Sequence, residues 1–488
     1  MKKILLVLSV LAFTISINAQ SLSDLLNRSK SAYKISGEVV GLQDSSVMLA
    51  YYFGGKKYAT DTAKVVNGKF TFIGDKELKG GMYLIVLSEQ QYFDIIISDT
   101  HFSFKTDIND LVGSMSFKNS VENPPFYKYL TFIGEMQKEV TPIRAELENA
   151  DEERKKKLQE SVSKIDSKVK SFRSNFIKNN SNKFFTKIVQ ATTEIEIPES
   201  PLDSTGNPDK TFPYRFYKKH FWDYIDFSDE RMLRTPIFYN KMDQYLDKLT
   251  AKHPDSINVS ADVLVEHSRA NGEIFQYVVS YITSTYERSK IMGMDAIFVH
   301  MVEKYYLTNQ CDWVDSIQLV KIADRAQKIA PNLIGREASE FLDFYGRPFM
   351  KDLLGKTHTL QEINAKYTLL IFFGPTCGHC KKEMPKVKHA LDSLTSTGID
   401  IKTFAVATEF DKKEWEKFIT DQETSEWLNV ADINHDDEGN PVASSDWRDK
   451  YDIYSTPVIY LLDKDKKILA KRITYKQIVD IISRLEEN

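Results

Sequence analysis

Two cysteines, Cys377 and Cys380, are separated by two residues and follow an apolar run at 367–373. The run is typical of a buried strand and the residues after the pair are typical of a helix, so we expect the first thiol at a helix N-terminus. Unpaired N–H groups and the helix dipole at that point stabilise a thiolate over a thiol. We therefore predict a redox disulfide, Cys377–Cys380, in which Cys377 is the nucleophile. Cys380, one turn later and better covered, would resolve the mixed disulfide that Cys377 forms.

The same spacing occurs in half of a zinc site and in structural disulfides. Zinc needs two further ligands at paired spacing, and the sequence has neither a second such cysteine pair nor two histidines three to five residues apart. The remaining cysteine, Cys311, is predicted to be a buried, unreactive thiol. The segment from Asp432 has only part of a calcium loop, since Asp437 replaces its glycine and Ala443 its bidentate glutamate. The sequence therefore predicts no metal site and no cofactor.

A second signal lies at Thr456-Pro457, which leads directly into the apolar segment 458–463. Proline is tolerated at the first position of a strand. A Cys-x-x-Cys pair at a strand-to-helix junction, Pro385 soon after it and Thr-Pro before a late strand resemble the thioredoxin superfamily. The longer pattern Cys-x-x-Cys-Lys-Lys-Glu-x-Pro resembles its TlpA-like branch. The resemblance covers residues 331–488.

This resemblance implies which residues surround the dithiol. Pro457 is expected to be a cis proline that packs against the disulfide and belongs to the catalytic group. Thr456 is expected to offer backbone groups to a substrate chain, and Gly378 and His379 are expected to share in substrate binding. Pro385 would kink the active-site helix, because proline removes one backbone donor.

Two departures from the family pattern concern the mechanism. Thr376 stands where many members have tryptophan, so we expect a more open site. Ile371 stands where thioredoxin carries a buried aspartate that accepts the proton of the resolving cysteine, so another group must do this. Glu383 matches the glutamate of TlpA-like sites and lies one helical turn after Cys380. We assign it this acid–base role, with an ordinary surface glutamate as the alternative.

The direction of the reaction stays open at this stage. The Gly378-His379 pair is the one found in protein disulfide isomerases, and stabilisation of the thiolate by His379 would make the disulfide more oxidising. The TlpA-like context implies instead a reductant that a membrane electron donor of the DsbD type keeps reduced. Our leading hypothesis is a thiol-disulfide oxidoreductase that acts reductively on disulfide- or dithiol-bearing secreted proteins. The alternatives are an isomerase or oxidant, and a binding or assembly protein in which the cysteine pair is secondary.

The N-terminus predicts the compartment. Lys2-Lys3 precede an apolar stretch at 4–17, and Ala19 offers a small residue for cleavage, so residues 1–19 are predicted to be a secretory signal peptide. The stretch is shorter than an ordinary spanning helix. We expect a periplasmic protein, or a tethered one if the signal is not cleaved. With 65 basic and 69 acidic residues and a net charge of −4, no basic field for nucleic acid is expected.

The chain is long enough for several domains, and its patterns change along its length. Residues 33–120 read as an antiparallel β sandwich or barrel, with an Asn67-Gly68 hairpin of type I′. Residues 123–330 read as an all-α domain, with one helical stretch at 140–179. Residues 331–488 read as an α/β thioredoxin-like domain with an insertion near 427–451. The first two resemble the uncharacterised β domain and helical module that accompany TlpA-like domains.

Overall fold

The computed structural model describes residues 31–434, 438 and 442–487, so the predicted signal peptide at 1–19 lies outside the described residues. The chain divides into two compact units. The first extends to Ala251 and includes Glu266–Phe275, and the second holds Lys252–Val265 and Gln276–Asn488. The helical region is thus shared between the units.

The first unit contains two four-stranded sheets, with the strand orders β4-β1-β7-β8 and β3-β2-β5-β6. Phe93 and Phe104 belong to different sheets and meet edge-to-face with their ring centroids 5.5 Å apart, so the sheets pack as a sandwich. The predicted sandwich is confirmed, with one parallel pairing, between β1 and β7. The strands are β1 Tyr33–Val40, β2 Ser46–Phe53, β3 Lys56–Lys64, β4 Lys69–Gly74, β5 Gly81–Val86, β6 Tyr92–Ile97, β7 His101–Asp107 and β8 Ser116–Lys118.

The predicted Asn67-Gly68 turn forms, and both residues have positive φ, 53° and 72°. Only glycine fits the second position, because an added Cβ would lie 2.5 Å from the carbonyl oxygen of Val39. Beyond the bridge between Val66 and Lys69, however, β3 pairs with β2 and β4 pairs with β1. The turn therefore passes the chain from one sheet to the other, and its strands do not continue as a hairpin.

Helices follow the sandwich. The stretch predicted at 140–179 is broken after α1, because Asp151 begins a new helix by accepting the backbone N–H of Arg154 at 2.8 Å. Phe126 and Phe185 pack against each other in the helical core, with ring centroids 4.6 Å apart and ring planes tilted by 54°. The helices are α1 Asn123–Leu147, α2 Glu152–Asn179, α3 Phe184–Ala191, α4 Phe212–His220, α5 Pro236–Asp243, α6 Pro254–Ser268, α7 Gly272–Glu287, α8 Asp295–Met301 and α9 Ser316–Ile329. Short 3₁₀ turns occur at Glu230–Arg234 and Ala330–Asn332, and π-helical turns at Gln244–Lys248 and Val302–Tyr306.

The C-terminal region is built on a five-stranded sheet with the order β11-β10-β9-β12-β13. Strands β9, β10 and β11 are parallel, whereas β12 runs antiparallel to β9 and β13 antiparallel to β12. The strands are β9 Tyr367–Phe373, β10 Ile401–Ala407, β11 Leu428–Ala431, β12 Val458–Leu462 and β13 Ile468–Lys471. The helices are α10 Gly378–Ser396, α11 Lys412–Asp421, α12 Trp447–Lys450 and α13 Tyr475–Glu487.

Every residue of β9 is buried, because helices or loops cover both faces of the sheet. Ile371 faces a core that it shares with Val387 of α10, and Phe372 faces a second core with Phe341. The predicted thioredoxin-like α/β fold is confirmed. The stretch predicted as an insertion at 427–451 supplies the edge strand β11 and the short helix α12.

Candidate active site

The dithiol lies where β9 passes into α10. Cys377 is the N-cap of α10, with extended backbone angles of −66° and 114°, and its sulfur accepts the backbone N–H of Cys380 at 3.3 Å. Gly374 allows the chain to turn there, since an added Cβ would lie 3.1 Å from the Cβ of Cys377 and 3.1 Å from the Glu409 carboxylate. Both cysteines are free thiols in this structure.

The segment that precedes β12 also contacts the dithiol. The Cys377 thiol donates to the carbonyl oxygen of Thr456 at 3.6 Å, a long contact of the kind sulfur makes. The peptide bond between Thr456 and Pro457 is cis. The structure thus brings together four of the predicted site residues, Cys377, Cys380, Thr456 and Pro457.

The partly exposed thiol of Cys377 is acidic. Partial burial acts to raise its pKa, but hydrogen bonds from the Thr456 side chain, from Cys380 and from the backbone N–H of His379 outweigh this effect. Together they hold the pKa of Cys377 below its ordinary value of 9.0. His379 therefore contributes through its amide, at the first turn of α10.

Cys380 has the opposite environment. Its side chain is 0% exposed and packs in the core beneath β9. Burial raises the pKa of Cys380 to about 12, and the neighbouring Cys377 adds to the rise. As the pH rises, the pair therefore loses its first proton from the accessible sulfur, while the buried sulfur keeps its proton.

The other predicted residues lie along α10. Gly378 and His379 are exposed in its first turn, and the helix continues through Pro385 to Ser396. Glu383 is 21% exposed, and its carboxylate forms an ion pair with Lys386 at 2.7 Å. The acid–base role of Glu383 and the substrate contacts of Gly378 and His379 stay predictions.

One contact beside the dithiol was not foreseen. Thr376, which replaces the usual tryptophan, donates its hydroxyl to the carboxylate of Glu409 at 2.5 Å. Glu409 follows β10, which is parallel to β9, so both strands end at the same edge of the sheet. A signal for it exists in the sequence, because polar residues after the carboxyl ends of parallel strands gather at one site.

The remaining candidates show no second site for this chemistry. Cys311 is buried and its thiol donates to the carbonyl oxygen of Tyr305 at 3.5 Å. Burial raises the pKa of Cys311 to about 12, so it should be unreactive. Asp432, the first residue of the partial calcium loop, accepts from the amide and hydroxyl of Ser444 at 2.8 and 2.7 Å. Over the described residues, no cluster of histidine, cysteine, aspartate or glutamate could hold a metal ion, and no helix is long and apolar enough to cross a membrane.

Three parts of the chain match known families. Residues 337–471 match the AhpC/TSA family. Residues 33–126 match a domain of unknown function, DUF4369, and residues 145–332 match another, DUF5106. The AhpC/TSA match includes Cys377, Cys380 and Pro457.

Individual relatives cover the same region. The chain is 26% identical over 141 residues to the thiol-disulfide oxidoreductase ResA of Bacillus cereus, across 28% of this chain and 68% of that protein. It is 26% identical over 142 residues to a thioredoxin-like protein of Haemophilus influenzae, across 27% of this chain and 75% of that protein. Among solved structures, it is 36% identical to a domain of a possible thiol-disulfide isomerase from Cytophaga hutchinsonii, with a TM-score of 0.27, across 32% of this chain and 94% of that one. A thioredoxin-like protein from Bacteroides caccae is 18% identical, with a TM-score of 0.42, across 60% of this chain and 99% of that one.

Proposed function

The C-terminal domain belongs to the thioredoxin-like AhpC/TSA family and makes the protein a thiol-disulfide oxidoreductase, and we propose that it reduces disulfides of secreted proteins in the bacterial periplasm through Cys377 and Cys380. The observation that carries this proposal is the contrast between the two thiols. Cys377 is accessible and its pKa is lowered, whereas Cys380 is 0% exposed and its pKa is raised to about 12. One sulfur is thus suited to attack a client, and the other to act only inside the site.

The reaction proceeds in two exchanges. The Cys377 thiolate attacks one sulfur of the client disulfide, that disulfide breaks, and the other client sulfur leaves as a thiolate that takes up a proton. Cys380 then loses its proton and attacks the Cys377 sulfur, which releases the second client thiolate. Two electrons pass to the client, and the enzyme is left with the Cys377–Cys380 disulfide. A dithiol donor of the DsbD type would reduce it again.

Glu383 is the proposed acceptor of the Cys380 proton. It lies three residues after Cys380 on α10, and the positive charge of Lys386 keeps its carboxylate in place. A buried thiol with a pKa of about 12 needs such a base if it is to attack at neutral pH. Ile371, which stands where thioredoxin carries a buried aspartate, is 0% exposed in the core and has no acidic group, so the base must come from another position.

One feature favours the reductive direction. The Glu409 carboxylate, which accepts a hydrogen bond from Thr376 next to Cys377, disfavours a second negative charge at the site. A less stable thiolate makes the dithiol a stronger reductant. His379 between the cysteines is the observation that favours the second candidate function, an isomerase or oxidant. The predicted signal at 1–19 supports the periplasm as the compartment.

The test measures both the disulfide-reducing activity of the protein and the reduction potential of its dithiol. Full-length protein supplied with a dithiol should reduce the disulfides of insulin, Cys377→Ser should abolish this, and the control Cys311→Ser should leave it unchanged. Equilibration with glutathione should give a potential near that of thioredoxin, about −270 mV, whereas a value near −180 mV would favour the isomerase. Activity that survives Cys377→Ser would overturn the proposal. Recovery of the mature protein in the cytoplasmic fraction would overturn the compartment.

A further inference from the structure

The loop that carries Thr456 to the dithiol is anchored at Asp452. This residue has a positive φ of 54°, so the chain bends sharply there. Its side chain is 8% exposed, and its two carboxylate oxygens bind different cations: Arg325 donates to one at 2.7 Å and Arg472 to the other at 2.7 Å. Between Asp452 and Pro457 the loop reaches the surface, where Tyr454 is 67% exposed. Because its middle packs little against the domain, the position of the loop depends on how its two ends are held.

One of the two cations comes from outside the thioredoxin-like domain. Arg325 lies on α9, within residues 145–332 that match DUF5106, whereas Asp452 lies within the AhpC/TSA match at 337–471. Both residues belong to the same compact unit. Two residues that follow Arg325 also contact the chain just before Asp452. Asn332 donates its side-chain amide to the carbonyl oxygen of Lys450 at 2.5 Å, and Lys328 lies 3.8 Å from the carboxylate of Asp449.

A second anchor holds the strand beside the loop. Lys471, at the end of β13, is 8% exposed and donates to the Asp295 carboxylate at 2.5 Å and to the carbonyl oxygen of Asn332 at 2.6 Å. Since β13 pairs with β12, which begins immediately after Pro457, the helical segment 287–332 holds the chain on both sides of the Thr456-Pro457 corner. The side chains of Asp452 and Lys471 are each 8% exposed, and a buried charge is costly to leave without its partner, so both contacts hold the chain in place.

We propose that Arg325 is a positioning residue for disulfide exchange, because it fixes Asp452 and thereby the loop that brings Thr456 into hydrogen-bonding distance of the Cys377 sulfur. The helical segment 287–332 then helps to complete the active site of the thioredoxin-like domain. This inference deepens the proposed function and rests on it, since Cys377 must be the exchanging sulfur for its surroundings to matter.

The test compares three single variants of the full chain. Arg325→Met removes the contact with Asp452, and Arg325→Lys keeps the charge. Lys321→Met is the matched control, because Lys321 is an exposed cation one turn earlier on the same helix. The readout is the pH profile of Cys377 alkylation by iodoacetamide in the reduced protein, followed by mass spectrometry, with the melting temperature measured beside it.

With Thr456 no longer held, the Cys377 profile of Arg325→Met should move to higher pH, and its alkylation near pH 7 should slow about threefold, the effect of half a pKa unit. Arg325→Lys should recover most of the wild-type rate, and Lys321→Met should match wild type. If Arg325→Met does not fold, Asp452→Asn, which keeps the shape and removes the charge, should show the same slowing.

A lower melting temperature with an unchanged alkylation profile would overturn the proposal, because it would make Arg325 a purely stabilising residue. An equal shift in Lys321→Met would also overturn it, since the effect would then be one of net charge. Alkylation needs no client, so its outcome is independent of the proposed function. Failure of the wild-type protein to reduce disulfides would count against that function alone.

Discussion

The backbone N–H of Cys380 points at the sulfur of Cys377, 3.3 Å away. The resolving cysteine therefore stabilises the nucleophile through its amide, whatever the protonation state of its own thiol. A change of Cys380 to serine keeps this amide. The Cys380→Ser variant should consequently retain the lowered pKa of Cys377, which makes it suitable for trapping clients.

The first prediction concerns which thiol reacts. Near pH 7 the thiolate fraction of a group with a pKa of about 12, such as Cys380 or Cys311, is roughly 10⁻⁵. Alkylation of the native reduced protein should therefore label Cys377 alone, and the rate should rise with pH and level off at a pKa below 9.0. Peptide mapping of the labelled protein measures this. Equal labelling of Cys377 and Cys311 would contradict the assignment.

The second prediction concerns Thr456. Its side chain is one of the groups that lower the pKa of Cys377, so Thr456→Val should raise that pKa and slow alkylation near pH 7 about threefold. Thr456→Ser keeps the hydroxyl and is the matched control. Identical profiles for the valine and serine variants would show that the hydroxyl has no such role.

The third prediction concerns Glu383. If it accepts the Cys380 proton, Glu383→Gln should slow the resolving step roughly 10²-fold near neutral pH and change the first attack by Cys377 much less. Stopped-flow measurement of both steps separates them. Asp392→Asn is the control, because Asp392 also forms an ion pair on α10, with Lys388 at 2.9 Å. Wild-type rates for both steps in Glu383→Gln would make Glu383 a surface residue.

The fourth prediction concerns the carboxylate that Thr376 binds. Removal of a negative charge beside a thiolate favours that thiolate, so Glu409→Gln should lower the pKa of Cys377 and make the dithiol a weaker reductant. Because Glu409 is exposed, the effect should be about twofold in alkylation rate and should shrink at high salt. Glu414→Gln, on α11, is the control. Slower alkylation of Cys377 in Glu409→Gln would contradict this prediction.

The sequence was most informative where structure is decided locally. An apolar run followed by Cys377 and Cys380 was enough to predict a buried strand, a helix start and the nucleophile. Asn67-Gly68 likewise predicted its turn, but the strands beside it join different sheets, and no local signal specifies a distant strand partner. Asp151 is a typical N-cap residue and so indicated the start of a new helix. The apolar periodicity on both sides of it favoured one continuous helix instead.

The contacts around the site that were missed are long-range. Thr376 binds Glu409, 33 residues away, and Arg325 binds Asp452, 127 residues away. Each residue taken alone reads as an ordinary surface charge or hydroxyl. Only the parallel order of β9 and β10, and the packing of α9 within the same unit, bring these pairs together.

The measurement that tests the central claim most directly is covalent capture by the Cys380→Ser variant, made with residues 1–19 included, in cells that express the folded full-length protein. Attack by Cys377 on a client disulfide then stops at the mixed disulfide, so reducible adducts should accumulate in the periplasm and be identifiable on diagonal gels and by mass spectrometry. A reductant should trap a small set of disulfide-bearing secreted proteins, and the adducts should vanish in the Cys377→Ser/Cys380→Ser double variant. If the folded Cys380→Ser protein gave no adduct that depends on Cys377, the dithiol would not be an exchange site and the account would be contradicted.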